Sequence, residues 1–150
     1  MQAGAEKGYN HALVGNAGAN LIYEAAGMHA SLLGFSLEGV VLDNDVIGSC
    51  QRTIKGIEIS DETLSLDVIR DAVIGGPGHY LGSAQTLDMM QTEYIYPKMH
   101  DRLSHKEWAE LGRPKVLDRA IAKVEEVLSS HWPSHIPDAI DDIIREELPI

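Results

Sequence analysis

Apolar positions along this chain recur mainly at three- and four-residue spacing, the period of helices with one buried face. The clearest run goes from Pro114 to Leu128. Val116, Leu117, Ala120, Ile121, Val124, Val127 and Leu128 share one face, and Lys115, Asp118, Arg119, Lys123, Glu125 and Glu126 fill the other. Pro114 suits the first turn of that helix, where a missing N–H costs no intrahelical bond, and Trp132-Pro133 ends the run. A second amphipathic helix follows Pro137, with Ile140, Ile143, Ile144 and Leu148 opposite Asp138, Asp141, Asp142, Arg145 and Glu146. Ser60 reads as an N-cap, with Asp61 and Glu62 at the positive end of the helix dipole. Leu64, Val68, Ile69, Ala72 and Val73 continue that helix to the break at Gly75-Gly76-Pro77-Gly78. Ser36 opens a helix through Val41, Val46, Ile47, Cys50 and Ile54, stopped by Gly56. Ser104 and Glu107 make a capping box for a short turn carrying Trp108 and Leu111. Residues 3–14, rich in Ala and Gly, also read as helix. Strand signal is confined to Ala19-Asn20-Leu21-Ile22-Tyr23, a short apolar run that would suit a buried parallel strand. The expected architecture is mainly α, with residues 1–150 forming a single unit without repeats or linkers.

Composition narrows the possible partners. A formal charge of −11, from 12 Lys and Arg against 23 Asp and Glu, repels a phosphate backbone, and aromatics at 5% are too few for a base-stacking surface. Nucleic acid is therefore not an expected partner. No apolar run reaches the ~20 residues that span a bilayer. Cys50 is the sole cysteine, so no intramolecular disulfide can form, and a reducing, cytoplasmic setting is the default expectation.

Candidate chemistry concentrates in Gly75-Gly76-Pro77-Gly78-His79-Tyr80-Leu81-Gly82. Such a turn lets backbone amides approach a ligand, and His79 could bind or transfer a proton there; it could equally be a tight inter-helix turn with a structural histidine. Glu24 follows the candidate strand, where barrel enzymes place working carboxylates, although a solvated loop glutamate fits as well. Gly15-Asn16-Ala17-Gly18 lacks the full dinucleotide-binding glycine spacing and follows a helix instead of a strand. Asp43-Asn44-Asp45 could meet a hard cation but lacks the ligand number and glycine of a Ca²⁺ loop; acids so placed usually face solvent or cap a helix. His131 and His135 have H-x-x-x-H spacing, but Pro133 disrupts the helix that would align them on a metal. No metal site is expected.

In chain order, a longer series of segments resembles one family. Gln2-Ala3-Gly4 with Glu6, Ala17 to Tyr23, Ala25-Ala26-Gly27-Met28, Ser36-Leu37-Glu38, Val41 to Asp45 and Gly56-Ile57 form its first part. Gly78 to Gly82, Thr86-Leu87, Tyr96-Pro97, Asp101-Arg102, Trp108 and Gly112 complete it. This pattern is similar to trimethylamine methyltransferases and their glycine-betaine-type relatives over about residues 2–148, in the late part of the family's sequence.

The resemblance implies the C-terminal part of a (β/α)8 barrel enzyme. Such an enzyme passes a methyl group from a tertiary or quaternary amine to the Co(I) of a corrinoid (cobalamin) carried by a separate corrinoid protein. The corrinoid would not be bound by this chain: Pro77 stands two residues before His79 in place of the aspartate of the carrier motif D-x-H-x-x-G. Substrate contact is expected at His79 and Tyr80, more weakly at Glu24, and no catalytic residue is assigned. The second histidine of the relatives' G-H-x-H-T stretch has no counterpart in Gly82-Ser83-Ala84-Gln85-Thr86. A pyrrolysine position would lie upstream. A complete barrel takes roughly 200–250 residues, so the isolated chain is expected to be inactive and to form a homo-oligomer through faces left uncovered. The alternative is a non-catalytic helical interaction module derived from the same family.

Overall fold

The computed structural model describes residues 2–148. Helix α1 (Gln2–Asn16) leads through an irregular segment to a hairpin of β1 (Met28–His29) and β2 (Gly34–Phe35), paired antiparallel with Met28 opposite Phe35. Helices α2 (Leu37–Lys55), α3 (Asp61–Leu64), α4 (Leu66–Val73), α5 (Ala84–Thr92), α6 (His105–Glu110), α7 (Val116–Ser130) and α8 (Asp138–Glu147) follow. The mainly α expectation holds.

α2 is the hub, with α1 and α7 packed against it. α1 can approach closely because Gly8 and Gly15 lie seven residues apart on one side. A Cβ at Gly15 would stand 2.3 Å from Ile54 Cδ1, and one at Gly8 4.0 Å from Val46 Cγ1. Cys50 Sγ donates to the Gly8 carbonyl at 3.4 Å across this contact. From α7, Ala120 is wholly buried.

Local signals account for most helix ends. Ser36 Oγ accepts from Gly39 N at 3.0 Å. Ser104 and Glu107 form the expected reciprocal capping box. Ser60 also caps its helix, but its reciprocal partner is Thr63. The helix expected from Ser60 through Val73 is interrupted: Ser65 takes a left-handed conformation (φ 56°), ending α3 and starting α4. Pro114 lies outside α7, whose N-cap is Lys115, and its carbonyl instead accepts Trp108 Nε1–H at 3.0 Å.

The strand expected at 19–23 does not form. Those residues run irregularly between the positive-φ positions Gly18 and Glu24. A buried parallel strand needs a hydrogen-bonding neighbour, and the described residues offer none. The sheet that does form, the short 28–35 hairpin, gave no sequence signal, and α5 was also not anticipated. Ser83 makes no side-chain cap bond, and α5's Leu87, Met89 and Met90 mark no clear stripe.

Burial is sparse. Cys50, Ala72 and Ala120 are the buried hydrophobic residues, and no large side chain is fully enclosed among the described residues. The predicted stripe of α8 stays exposed at Ile140 and Ile143. No described helix is long and apolar enough to cross a membrane.

Candidate functional site

α4 ends in the glycine-rich turn, and the turn's shape follows from its sequence. Gly75 and Gly78 take positive φ, and Gly78 N reaches back to the Ala72 carbonyl at 2.9 Å. A Cβ at Gly76 would fall 1.9 Å from the Asp71 carbonyl oxygen, so only glycine fits there without moving backbone. This tight reversal delivers His79 to an open groove of about 420 Å³ between α4 and α5. Val68, Asp71, Ala72, Pro77, Ser83 and Gln85 help to line it.

His79 Nδ1 accepts from Leu81 N at 3.3 Å. In the neutral ring that bond selects the Nε2–H tautomer, leaving Nε2–H as the donor. The histidine makes a local bond of the kind the tight-turn reading expects, and it also borders a groove. Tyr80 is partly exposed beside it; its carbonyl accepts from Ser83 N at 3.0 Å, and its ring does not line that groove. Glu24 is exposed in the turn after α1, not at a strand end, and lines neither this groove nor the larger neighbouring one. The structure thus keeps His79 and Tyr80 together as chain neighbours and does not join Glu24 to them.

The larger groove, about 790 Å³, shares Val68 and Gln85 with the first. Glu58, Asp61, Glu62, Asp67, Asp88 and Glu93 border it with the single cation Arg70. It is an anionic surface, suited electrostatically to cations. Gln85 Nε2 donates to the Glu62 carbonyl at 2.9 Å, holding α5 against α3.

Sequence reasoning missed the role of Asp43 and Asp45. Two residues apart on a helix, they point in directions roughly 200° apart, and each fastens a different segment to α2. Asp43 is buried; its Oδ2 accepts from Gly27 N at 2.7 Å and pairs with Lys7 of α1. Gly27 itself could not carry a side chain, since its φ is 78° and a Cβ would meet Val40 Cγ2 at 2.5 Å. Asp45 Oδ2 accepts from Met99 N at 2.6 Å and His100 N at 2.9 Å, and Oδ1 from Lys98 N at 3.1 Å. His100 Nδ1 adds a contact at 3.3 Å. Burial pushes the Asp45 carboxyl upward, but the amides of His100, Met99 and Lys98 and the His100 ring outweigh it and hold the carboxyl below the usual aspartate value. Neither Asp43 nor Asp45 faces solvent or forms a cation loop: both acids are spent on the fold. The bare signal was the unusual density of acids on an otherwise apolar helix flank.

Other candidates disperse. His131 and His135 lie in the irregular segment between α7 and α8, both exposed. Among the described residues no three His, Cys, Asp or Glu side chains gather as metal ligands.

Comparison with known proteins gives this geometry its context. Residues 1–148 match the family described as Trimethylamine methyltransferase (MTTB). The trimethylamine methyltransferase MttB of Methanosarcina thermophila is 37% identical over 145 residues, which are 97% of this chain and 29% of that protein. Its counterpart in Methanosarcina barkeri (strain Fusaro / DSM 804) is 36% identical, over 97% of this chain and 28% of its own length. A glycine betaine methyltransferase of Desulfitobacterium hafniense (strain Y51) is 25% identical over 83% of this chain and 25% of its own length. The chain therefore spans less than a third of these relatives, and over the length it does span it belongs to the trimethylamine methyltransferase family.

Proposed function

We propose that this chain supplies the late part of a methyltransferase that moves a methyl group from a tertiary or quaternary amine, of trimethylamine or betaine type, to a corrinoid carried by a separate protein. The observation that carries the reading is the family match across residues 1–148, with relatives named for trimethylamine and for glycine betaine. A Co(I) corrinoid on that separate protein would be the methyl acceptor and would supply the electron pair for the new bond to carbon. The pair of the broken C–N bond stays on nitrogen, so a quaternary ammonium, or a tertiary amine that carries a proton, departs as the neutral amine.

Within this reading, His79 borders the substrate groove, with Nε2–H directed to hydrogen-bonding the substrate or protonating a departing amine. Tyr80 stands beside His79 with its ring outside the groove, so its aromatic face would serve a methylated nitrogen only where the remaining length of the enzyme completes the site. The anionic groove next to the turn favours a cationic substrate. Glu24 has the weaker claim, because it borders neither groove. The chain's part is positioning; the remaining lining of the site comes from the length that the relatives have and this chain does not span.

A chimera tests the reading. Residues 2–148 replace the matched segment of the Methanosarcina thermophila enzyme, and methylation of a reduced corrinoid protein is followed by absorbance. The chimera is expected to turn over trimethylamine or glycine betaine, and His79→Ala to lower kcat/KM by about 10²-fold, the scale of a lost acid–base group. A correctly folded chimera that methylates nothing, or a His79→Ala variant with full activity, would refute the assignment.

A further inference from the structure

We infer that Asp71 is a specificity-determining residue of the proposed site: its carboxylate is the counter-ion for the substrate's ammonium and favours a protonated tertiary amine over a zwitterionic betaine. The inference takes the identity of the groove from the proposed methyl transfer and adds the residue that chooses among its amines.

The first observation is placement. Val68, Asp71 and Ala72 fall at i, i+3 and i+4 on α4, so they share one face, and all three line the groove that His79 borders. The reversal at Gly76 folds the chain back against the Asp71 carbonyl, which returns His79 to the space that Asp71 lines.

The second observation is charge. Asp71 is the one Asp, Glu, Lys or Arg in the lining of that groove. Its carboxylate has no ion-pair partner among the described residues, and the adjacent Arg70 is turned to Asp67 at 2.7 Å instead. The position is also locally unfavourable, because a carboxylate in the last turn of α4 stands at the negative end of the helix dipole. No cation of the fold offsets that cost, and a cationic ligand does.

The third observation is what the groove lacks. A betaine brings a carboxylate with its ammonium, and no Lys or Arg lines the groove to receive it. His79 Nε2–H is a single neutral donor, and Asp71 repels the same carboxylate. A protonated tertiary amine meets neither difficulty. It carries one positive charge and one N–H, which Asp71 accepts in a charge-assisted hydrogen bond. Gln85, which lines the same groove, adds a second acceptor: its Nε2 donates to the Glu62 carbonyl, so its Oε1 remains for an N–H donor. The protonated form is also the one whose nitrogen leaves as a neutral amine, so the pairing selects the reactive state.

The test uses the chimera with the Methanosarcina thermophila enzyme, titrated calorimetrically with trimethylammonium and with glycine betaine in the absence of corrinoid protein. Asp71→Asn keeps the side chain's shape and removes its charge. It is expected to weaken trimethylammonium binding about tenfold, the scale of a lost charge-assisted hydrogen bond, and to leave glycine betaine bound at least as tightly as before. Asp71→Glu should retain most of the trimethylammonium affinity. In thermal melts of the full chain, Asp71→Asn should unfold no earlier than wild type, because it removes an acid from the unfavourable end of α4. Equal weakening toward both ligands, an unchanged preference, or a chimera that binds neither would overturn the inference. An earlier melt for Asp71→Asn would assign the carboxylate to the fold and overturn it as well. A chimera that binds with the expected pattern yet methylates nothing would sink only the proposed chemistry. One that methylates trimethylamine with a preference indifferent to Asp71→Asn would sink only this inference.

Discussion

Asp43 shows how a polar side chain can hold together a molecule with little core. Its carboxylate joins α1, through Lys7, and the loop at Gly27 to α2, in a setting from which water is largely excluded. Asp43→Ala removes a charged acceptor and leaves an amide and an ammonium short of a partner. The expected loss is about 1.5–3 kcal/mol in urea unfolding, against less than about 0.5 kcal/mol for the exposed neighbour Asn44→Ala. Asp45 makes a pH-dependent contribution. Its folded carboxyl is held below the ordinary value, so in mild acid the unfolded chain binds the proton more readily. The stabilisation is complete above the unfolded value of about 3.9 and is lost as pH falls through the folded one. Asp45→Asn should therefore flatten the decline in urea midpoint below about pH 5, while wild type keeps falling. An unchanged slope would mean that the 98–100 amides do not depend on the charge. Neither role was legible in the sequence, because spacing says that Asp43 and Asp45 face apart but not what each meets.

Helix ends were the most legible elements. Ser36, Ser104 and Gly56 act where their chemistry places them, since capping is settled within a few residues. Ser36→Ala should cost about 1 kcal/mol by removing the bond to Gly39 N, and Ser36→Gly only a few tenths; thermal melts of the two variants distinguish a cap from general sensitivity at this position. Elements that depend on distant chain were misread. The apolar run at 19–23 has strand composition, yet a strand is completed only by its neighbour. The break at Ser65 interrupts a helical stripe that continues through it, so periodicity alone cannot reveal it. In the candidate site, the reversal at Gly76 followed from its glycines, as did the placement of His79 beyond it. The separation of Glu24 from that groove required the fold.

At the scale of the whole molecule, apolar stripes that are periodic in sequence stay half uncovered in the structure, on α7 and α8 as well as on α1. Periodicity encodes which face is to be buried but not whether the burying partner lies within the same 150 residues. The relatives are more than three times as long as their matched segments, and the proposed function assigns the covering chain to that further length. Methyl transfer needs a substrate held in line with its acceptor, and one exposed histidine beside an open groove does not enclose a substrate. The most direct measurement incubates this chain alone with trimethylamine or glycine betaine and a reduced corrinoid protein, then repeats the assay with the unmatched portion of the Methanosarcina thermophila enzyme added. The account predicts corrinoid methylation at the no-enzyme baseline in the first case and a clear rise above it in the second. Sustained turnover by the chain alone would contradict it.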